Sequence, residues 1–473
     1  MFLAATTLPP SGWVLFAYLV SAAMFIIGLK GLTRPRTAVR GNTLGAAAML
    51  LAVVVTLFDN QVVGWGTIFF GIVIGSAIGV VMAQRIAMTD MPQLVALFNG
   101  LGGGASTLVA ASYLAGSTHA DACVSGDCKK DVLTATAASG LIGAITLSGS
   151  LIAFAKLQGI KSVKDIRFDN QQIINLGLGL TCILLCVLMV LFPGWANVAF
   201  WGMILLAIGL GVLLVVSIGG ADMPVVIALL NSYSGIAASM TGFVLGNNLL
   251  VIAGSLVGAS GLILTQIMCK AMNRSLTNVL FGKIEASESS DDDENVYANV
   301  KSSSPEEVAM MLEIAQKVLF IPGYGMAVAQ AQHAVRDLAN ALIARDVEVE
   351  YGIHPVAGRM PGHMNVLLAE ANIPYEQLKE MDEVNSSMDR VDVAIVIGAN
   401  DVVNPVAREP GSPIAGMPII DVDKARTSVV IKRSLSPGFA GIPNPLFAAD
   451  NTLMLFGDAG DMITETLKAL QDS

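Results

Sequence analysis

The chain has 473 residues, of which 54% are hydrophobic and only 14% charged, and its mean hydropathy is +0.67. That is too apolar for an ordinary soluble protein, and a net charge of −10 excludes the basic face that nucleic-acid binding needs. Long apolar runs fill residues 1 to about 272 and the remainder is mixed, so a membrane domain is expected to precede a soluble one.

In chain order, the opening "MFLAATTLPPSG" lacks a basic n-region, so the first apolar segment is expected to be retained. A membrane helix needs roughly 20 apolar residues. Nine candidate spans lie near 12–30, 43–58, 62–83, 92–115, 132–155, 172–192, 196–218, 223–245 and 247–271, the second being the shortest. One set of connections carries Lys30, Arg34, Arg36, Arg40, Arg85, Lys156, Lys161, Lys164, Arg167, Lys270 and Arg274; the other carries Lys129 and Lys130. Lys and Arg collect on the cytoplasmic side, so the N-terminus is expected outside and the C-terminal domain in the cytoplasm. Cys182, Cys186 and Cys269 lie in apolar runs and read as packing residues. Cys123 and Cys128 share the polar loop "HADACVSGDCKKD", where a disulfide and two free thiols are both open.

The fourth and eighth spans begin alike, with "TDMPQLVALFNG" at 89–100 and "ADMPVVIALLNS" at 221–232. Pro92 and Pro224 suit the first turn of a helix, and Asp90 and Asp222 are expected to cap its start. Nine residues at 1.5 Å rise make roughly 13.5 Å, which puts Asn99 and Asn231 near the middle of a core about 30 Å thick. Gly103 and Gly235 repeat in the same way, as do Ala105 and Ala237. On one reading the Asn pair bonds neighbouring helices; on the other it lines a watery path for a small ion or proton, with Asp90 and Asp222 at the mouths. No Asp, Glu, Lys, Arg or His stands mid-span, which excludes a relay of ionisable side chains within this chain.

Residues 273–307 are expected to form a linker. Their main stretch, "KIEASESSDDDENVYANVKSSSPEE", is acidic, rich in Ser and poor in apolar residues, as a flexible tether would be. From 308 to 473 the pattern turns to α/β. A strand is predicted over 318–321, then a Gly turn, an Ala-rich helix to about Arg345, and a second strand over 347–353. The turn, Gly323-x-Gly325-x-x-Val328, follows a strand and opens a helix, the context a dinucleotide site requires. Gly323 would allow the tight turn, Gly325 would let the backbone approach a pyrophosphate, and Val328 stands where Gly or Ala is expected.

The second strand ends at Ile353-His354-Pro355 with no acid for a ribose 2′-OH, since Glu348 and Glu350 come too early. Arg359, in the Gly/Pro loop "VAGRMPGH", reads as a phosphate contact or a plain surface Arg. Further strands are predicted in "VAIVIGAND" (393–401), "SVVIKRS" (428–434) and "TLMLFGDA" (452–459). Lys432, Arg433 and Ser434 close one of them with two cations and a hydroxyl, which suits a 2′-phosphate, so NADP is favoured over NAD. The loop at 436–447 is rich in Gly and Pro and could fold over a cofactor as a lid. His333, His354 and His363 are spread apart without Cys partners, so no metal site is expected.

Taken together, "GYGMAVAQAQ", "HPVAGRMPGH", "GANDVVNP", "IKRS" and, in the membrane part, "ADMPVVIALLNSYSG" resemble the proton-translocating NAD(P) transhydrogenase, beta subunit, over nearly the whole chain. The resemblance implies a polytopic α-helical membrane domain of about nine spans, followed by a cytoplasmic Rossmann-like α/β domain with a parallel sheet. It implies NADP(H) on this chain and NAD(H) on a separate alpha-type subunit, in a dimer of heteromers. The setting would be the lipid of a bacterial cytoplasmic membrane or an equivalent energy-transducing one. Gly323, Tyr324, Gly325, Ala327 and Val328 would then line the pyrophosphate with Arg359 beside it. Asn400 and Asp401 would sit at the nicotinamide end, Asp401 as the titrating coupling residue. Lys432, Arg433 and Ser434 would hold the 2′-phosphate, Gly438 and Phe439 would belong to the lid, and Gly457, Asp458 and Ala459 would close the site near the adenosine. Many relatives carry Tyr in place of Phe439. Asn231 matches a polar residue of the family's proton path, and Asn99 stands where some bacterial relatives have His, so a side-chain relay at mid-membrane gives way to water past Asn99 and Asn231 or to a partner's group.

The rival from another class is a cation channel or transporter gated by a nucleotide-sensing Rossmann domain. It would show an acid after the second strand, no basic triplet and a pore-loop filter, none of which the sequence contains.

Overall fold

The computed structural model describes residues 12–32, 35–58, 65–86, 90–117, 130–160, 163, 166, 168, 170–281, 296–360, 362–412, 414–438 and 440–472. Nine helices among them are long and apolar enough to cross a membrane. They are α1 (Gly12–Leu32), α2 (Pro35–Phe58), α3 (Trp65–Arg85), α4 (Met91–Ser117), α5 (Lys130–Leu157), α6 (Gln171–Leu191), α7 (Ala196–Val216), α8 (Met223–Leu245) and α9 (Asn248–Ala271). The nine expected spans are all present. The second is longer than expected because the helix begins at Pro35, where a proline costs no hydrogen bond, and hydropathy does not mark such a start. Cys123, Cys128, Lys129, Arg34, Lys161, Lys164 and Arg167 lie outside the described residues.

Within the helical unit α5 runs along α4 and α7, α6 packs on α7, and α1 packs on α2. With no hydrophobic drive between helices in lipid, close approach depends on small residues. A Cβ on Gly103 of α4 would stand 2.6 Å from Gly143 O of α5, and one on Gly235 of α8 would stand 2.4 Å from Gly258 N of α9. The repeated glycine therefore does the same work twice, letting each repeat helix press on the helix that follows it. The rest of the repeat diverges: Ala105 is exposed and Ala237 is buried.

The two Asp that open the repeat meet different side chains. Asp222 accepts two hydrogen bonds from Arg274 Nη1, at 2.9 and 2.8 Å, and Asp90 accepts one from Gln93 Nε2 at 3.1 Å. The bond to the Arg274 guanidinium is charge-assisted at both ends and the one to Gln93 is not.

The second unit is built on a six-stranded sheet in the order β3-β2-β1-β4-β5-β6, parallel throughout. The strands are β1 (Lys317–Pro322), β2 (Glu348–Ile353), β3 (Leu378–Glu380), β4 (Val393–Ile397), β5 (Thr427–Lys432) and β6 (Thr452–Phe456). This is the doubly wound order, whose crevice opens between β1 and β4, where the winding reverses. One face packs on α10 (Pro305–Ile314), α12 (Gln332–Ile343), α13 (His363–Glu370) and α14 (Ala459–Asp472); the other buries Leu319, Ile321, Val396, Val430 and Phe447.

Two expectations for this unit need correction, and one strand was not foreseen. The single helix predicted after β1 is two, α11 (Tyr324–Val328) and α12, because Gln330 takes φ 50, which a continuous helix cannot hold. Strand β3 has only three residues and no alternating pattern long enough to read. The tether expected over 273–307 contains a helical turn at Leu276–Phe281 and, from residue 296, a docked segment. There Tyr297 and Val300 pack on the sheet's second face, and Ser302 pairs in parallel with Met454 of β6. The acidic stretch 282–295 lies outside the described residues.

Candidate functional site

At the carboxyl ends of the strands lies a cavity of about 440 Å3, walled by the loops that follow β1, β2, β4, β5 and β6. Its floor is a crossing of two backbones. A Cβ on Gly398, at φ 61, would stand 2.3 Å from Gly325 Cα, and one on Gly323 would stand 2.5 Å from the Ala399 backbone. Gly323 N–H donates to Ile397 O at 2.9 Å and Gly325 N–H to Gly398 O at 2.8 Å. Gly323 itself is extended at φ −115, so glycine is needed there for close approach and not, as expected, for a turn. Gly398 is the partner the fingerprint spacing alone does not reveal; its signal is the glycine that ends "VAIVIG".

Tyr324, Gly325 and Val328 join the wall. Val328 is 46% exposed, so the helix–sheet packing expected of that position falls to Ala327, which is buried in the core and not in the wall. The β2 loop contributes Val356 to Gly358, residues the motif reading passed over. Arg359 stands behind this wall with its guanidinium 4.5 Å from the Tyr324 ring centroid, a cation–π arrangement. The Arg359 backbone N–H donates to His363 Nδ1 at 3.1 Å. His354 Nε2 meets Pro418 O at 2.8 Å, and its Nδ1 accepts from Val356 N–H at 3.3 Å. Burial lowers both imidazoles to about 4, helped at His363 by Arg359. The two histidines are therefore neutral props of the loop between them.

Lys432, Arg433 and Ser434 form the lip after β5, with Ser436 and Gly438 beyond. Lys432 Nζ donates to Ser436 O at 2.7 Å and stands 4.9 Å from the Phe447 ring centroid. Burial pulls this ammonium down to about 8, against an opposing pull from Asp401. Oriented with its oxygen inward, the Asn400 amide accepts from Gly438 N–H at 2.7 Å and from the Lys432 ammonium at 3.1 Å. Asp401 Oδ2 accepts from Ala440 N–H at 3.1 Å, and a Cβ on Gly438 would stand 2.4 Å from Asp401 Oδ1. The loop expected to act as a lid is thus fastened to Asn400 and Asp401 at its near end. Buried Asn404 and Asn444 hold its far end. Phe439 lies outside the described residues. Gly457, Asp458 and Ala459 complete the wall, and Asp458 also starts α14 by accepting Gly460 N–H at 3.0 Å.

In the helical unit Asn99 is buried, and its Nδ2 donates to Ile227 O of α8 at 3.4 Å. Asn231 is half-buried. A Cβ on Gly102 would stand 2.7 Å from Ser234 Oγ, so the two repeat helices meet each other at the depth of their Asn residues.

The profile of the NAD(P) transhydrogenase beta subunit family matches residues 14–469. The chain belongs to that family. It is 49% identical over 457 residues to the NAD(P) transhydrogenase subunit beta of Rhodospirillum rubrum, covering 96% of this chain and 98% of the relative. The same figures hold for a second Rhodospirillum rubrum protein of that name. A transhydrogenase is an oxidoreductase, a beta subunit implies an alpha partner, and nine apolar helices make this beta subunit an integral membrane protein.

Proposed function

We propose that this transhydrogenase beta subunit holds NADP(H) across the carboxyl edge of its sheet. Its membrane helices would carry the protons whose passage drives hydride exchange with NAD(H) on an alpha-type subunit. The observation that carries the reading is the Lys432-Arg433-Ser434 lip on a cavity whose floor is the Gly325–Gly398 crossing.

The residues fit the cofactor. Lys432 and Arg433 give a 2′-phosphate a point charge and a planar fork, and Ser434 adds a hydroxyl. No acid follows β2: Glu350 is taken by Lys317 at 2.8 Å, which leaves nothing there to prefer a ribose 2′-OH. The bare backbone of Gly323 and Gly325 allows a pyrophosphate to lie close, with Arg359 behind Tyr324 to answer its charge. These residues would hold NADP(H), whose nicotinamide would supply the hydride chemistry. Asn400 and Asp401 orient the loop at 436–438, and that loop shields the site from water, as hydride transfer requires. Asp401 links the two halves of the task, because a change in its charge alters the grip on Ala440 N–H and so on the loop. Asp90, Asn99, Asn231 and Asp222 mark the proton route, water carrying the charge past the two amides. Orientation follows the Lys/Arg count, with the N-terminus outside and the α/β unit in the cytoplasm.

Calorimetric titration of the full chain in detergent with NADP+ and NAD+ tests this. NADP+ should bind at least about 100-fold more tightly, since hydrogen bonds to charged groups are each worth about 1.5–3 kcal/mol. Lys432→Ala with Arg433→Ala should abolish that preference and leave NAD+ unchanged. Equal binding of the two nucleotides by the wild type would sink the reading.

A further inference from the structure

Above the Asn99 level the proposed route has no assigned residues, yet the described helices place a polar centre there. Ser139 of α5 and Thr241 of α8 are both buried, and their hydroxyl oxygens lie 2.8 Å apart, either able to donate to the other. Ser139 Oγ also lies 3.3 Å from Ser106 O of α4 and 3.4 Å from Ala237 O of α8. Thr241 Oγ1 lies 2.9 Å from Ala237 O. Three helices, including both copies of the repeat, thus converge on one pair of hydroxyls. Seven residues separate Asn99 from Ser106 and ten separate Asn231 from Thr241, rises of roughly 10 and 15 Å. The pair lies beyond the Asn residues, away from the Asp90 and Asp222 ends.

Two hydrogen-bond arrangements fit the same oxygen positions. In one, Thr241 donates to Ala237 O and Ser139 donates to Thr241. In the other, Ser139 donates to Ser106 O or Ala237 O and Thr241 donates to Ser139. Exchange between them needs only rotation of two O–H bonds. A hydroxyl that serves only to tie two helices needs one acceptor; here each hydroxyl has a carbonyl and its partner to choose between.

We propose that Ser139 and Thr241 form the outer station of the proton route, an inference that rests on the proton-path reading above. A proton brought by water to Ser139 Oγ passes the serine's own hydrogen to Thr241 Oγ1, and the threonine hydroxyl, turned from Ala237 O towards a water, releases its own hydrogen to that water. One proton enters, one leaves, the pair keeps two, and rotation of the hydroxyls resets it. The step runs equally well in reverse.

The test uses the full enzyme, this chain with its NAD(H)-binding subunit, in liposomes containing a pH-sensitive dye. Ser139→Ala and Thr241→Val should each slow proton movement at least about tenfold. Thr241→Ser, which keeps the hydroxyl, should stay within about twofold of wild type. NADP+ affinity, measured calorimetrically on the same preparations, should not change. A pair that only packs gives the opposite order at 241: Val, which keeps the volume, moves protons normally, and Ser is the impaired variant. That order overturns the proposal and leaves the proton path standing. If Ala and Val unfold the protein, Thr241→Ser and Ser139→Thr decide: both must move protons, and failure of either with NADP+ binding intact overturns the proposal. Wild-type liposomes that transfer hydride without moving protons would remove the proton path itself, and this station with it.

Discussion

Both halves of the molecule bring two backbones together through facing glycines, with opposite results. In the helical unit Gly103 on Gly143 closes the space between α4 and α5. In the α/β unit Gly325 on Gly398 joins two strand ends, and what leaves the crossing is a pair of diverging loops with a cavity between them. A glycine contact therefore seals or opens according to what continues from it: parallel-sided helices stay in contact, while strand ends splay. The halves differ in their chemistry too. Charge gathers at the cavity lip, whereas the span interiors are left with amides and hydroxyls.

The sharpest way to break this comparison is to fill each crossing. Gly398→Val places a branched side chain 2.3 Å from Gly325 Cα at φ 61. Overpacking and a left-handed backbone together should cost about 3 kcal/mol or more. A lower thermal midpoint and no calorimetric NADP+ binding are expected. Gly103→Ala sets a methyl 2.6 Å from Gly143 O and should lower helical stability while NADP+ affinity stays the same. Loss of NADP+ binding in Gly103→Ala would show that the two crossings are not separate devices.

Next in size is acid stability, which should belong to the α/β half. His354 and His363 have folded values near 4, below the ordinary 6.5, because burial disfavours the cation. The unfolded chain binds more protons between those values. Stability is then full above pH 6.5 and falls as pH drops towards 4, by up to about 3 kcal/mol for each ring. Urea titrations from pH 7 to 4.5 check this. His354→Gln with His363→Gln should flatten the dependence, and an unchanged slope would count against the props.

The smallest effect sharpens the charge contrast. Burial sets Lys432 near 8, and a bound phosphate dianion would raise that value. NADP+ affinity should be level below pH 8 and fall above it by up to about tenfold per pH unit, as binding comes to require a proton. NAD+ affinity should not follow. Lys432→Arg, which stays charged, should remove the fall; a fall that persists would place the titration elsewhere.

Much of this was legible in the residues. Hydropathy located all nine helices, and short apolar runs closed by polar or Gly-rich turns located five of the six strands, because both patterns are written along the chain itself. The wall residues Gly323, Lys432, Arg433 and Ser434 could be named because strand ends are where such sheets hold ligands, whereas Asn400 was named only through the family resemblance. What could not be read depends on contacts across the fold. Asp90 and Asp222 look identical in sequence, yet one meets Gln93 and the other Arg274, 52 residues away. The approach of Gly398 to Gly325 joins positions far apart in the chain, and the break at Gln330 has no local residue pattern to announce it. The hydroxyl pair of Ser139 and Thr241 is invisible until α5 and α8 are side by side.

Strand β6 ends the sheet, and an open strand edge invites other chains to pair with it. Here the segment at 301–303 lies along that edge: Met454 N–H donates to Lys301 O at 2.8 Å and Ser303 N–H to Met454 O at 2.9 Å. Just before it, the Tyr297 ring stacks on Phe447 at 6.3 Å, and its hydroxyl accepts Asn444 N–H at 3.0 Å. A soluble fragment begun at 308, where the sequence suggests a boundary, would strip that edge, bare one face of Phe447 and invite aggregation. One begun at 296 would carry its own protective strip.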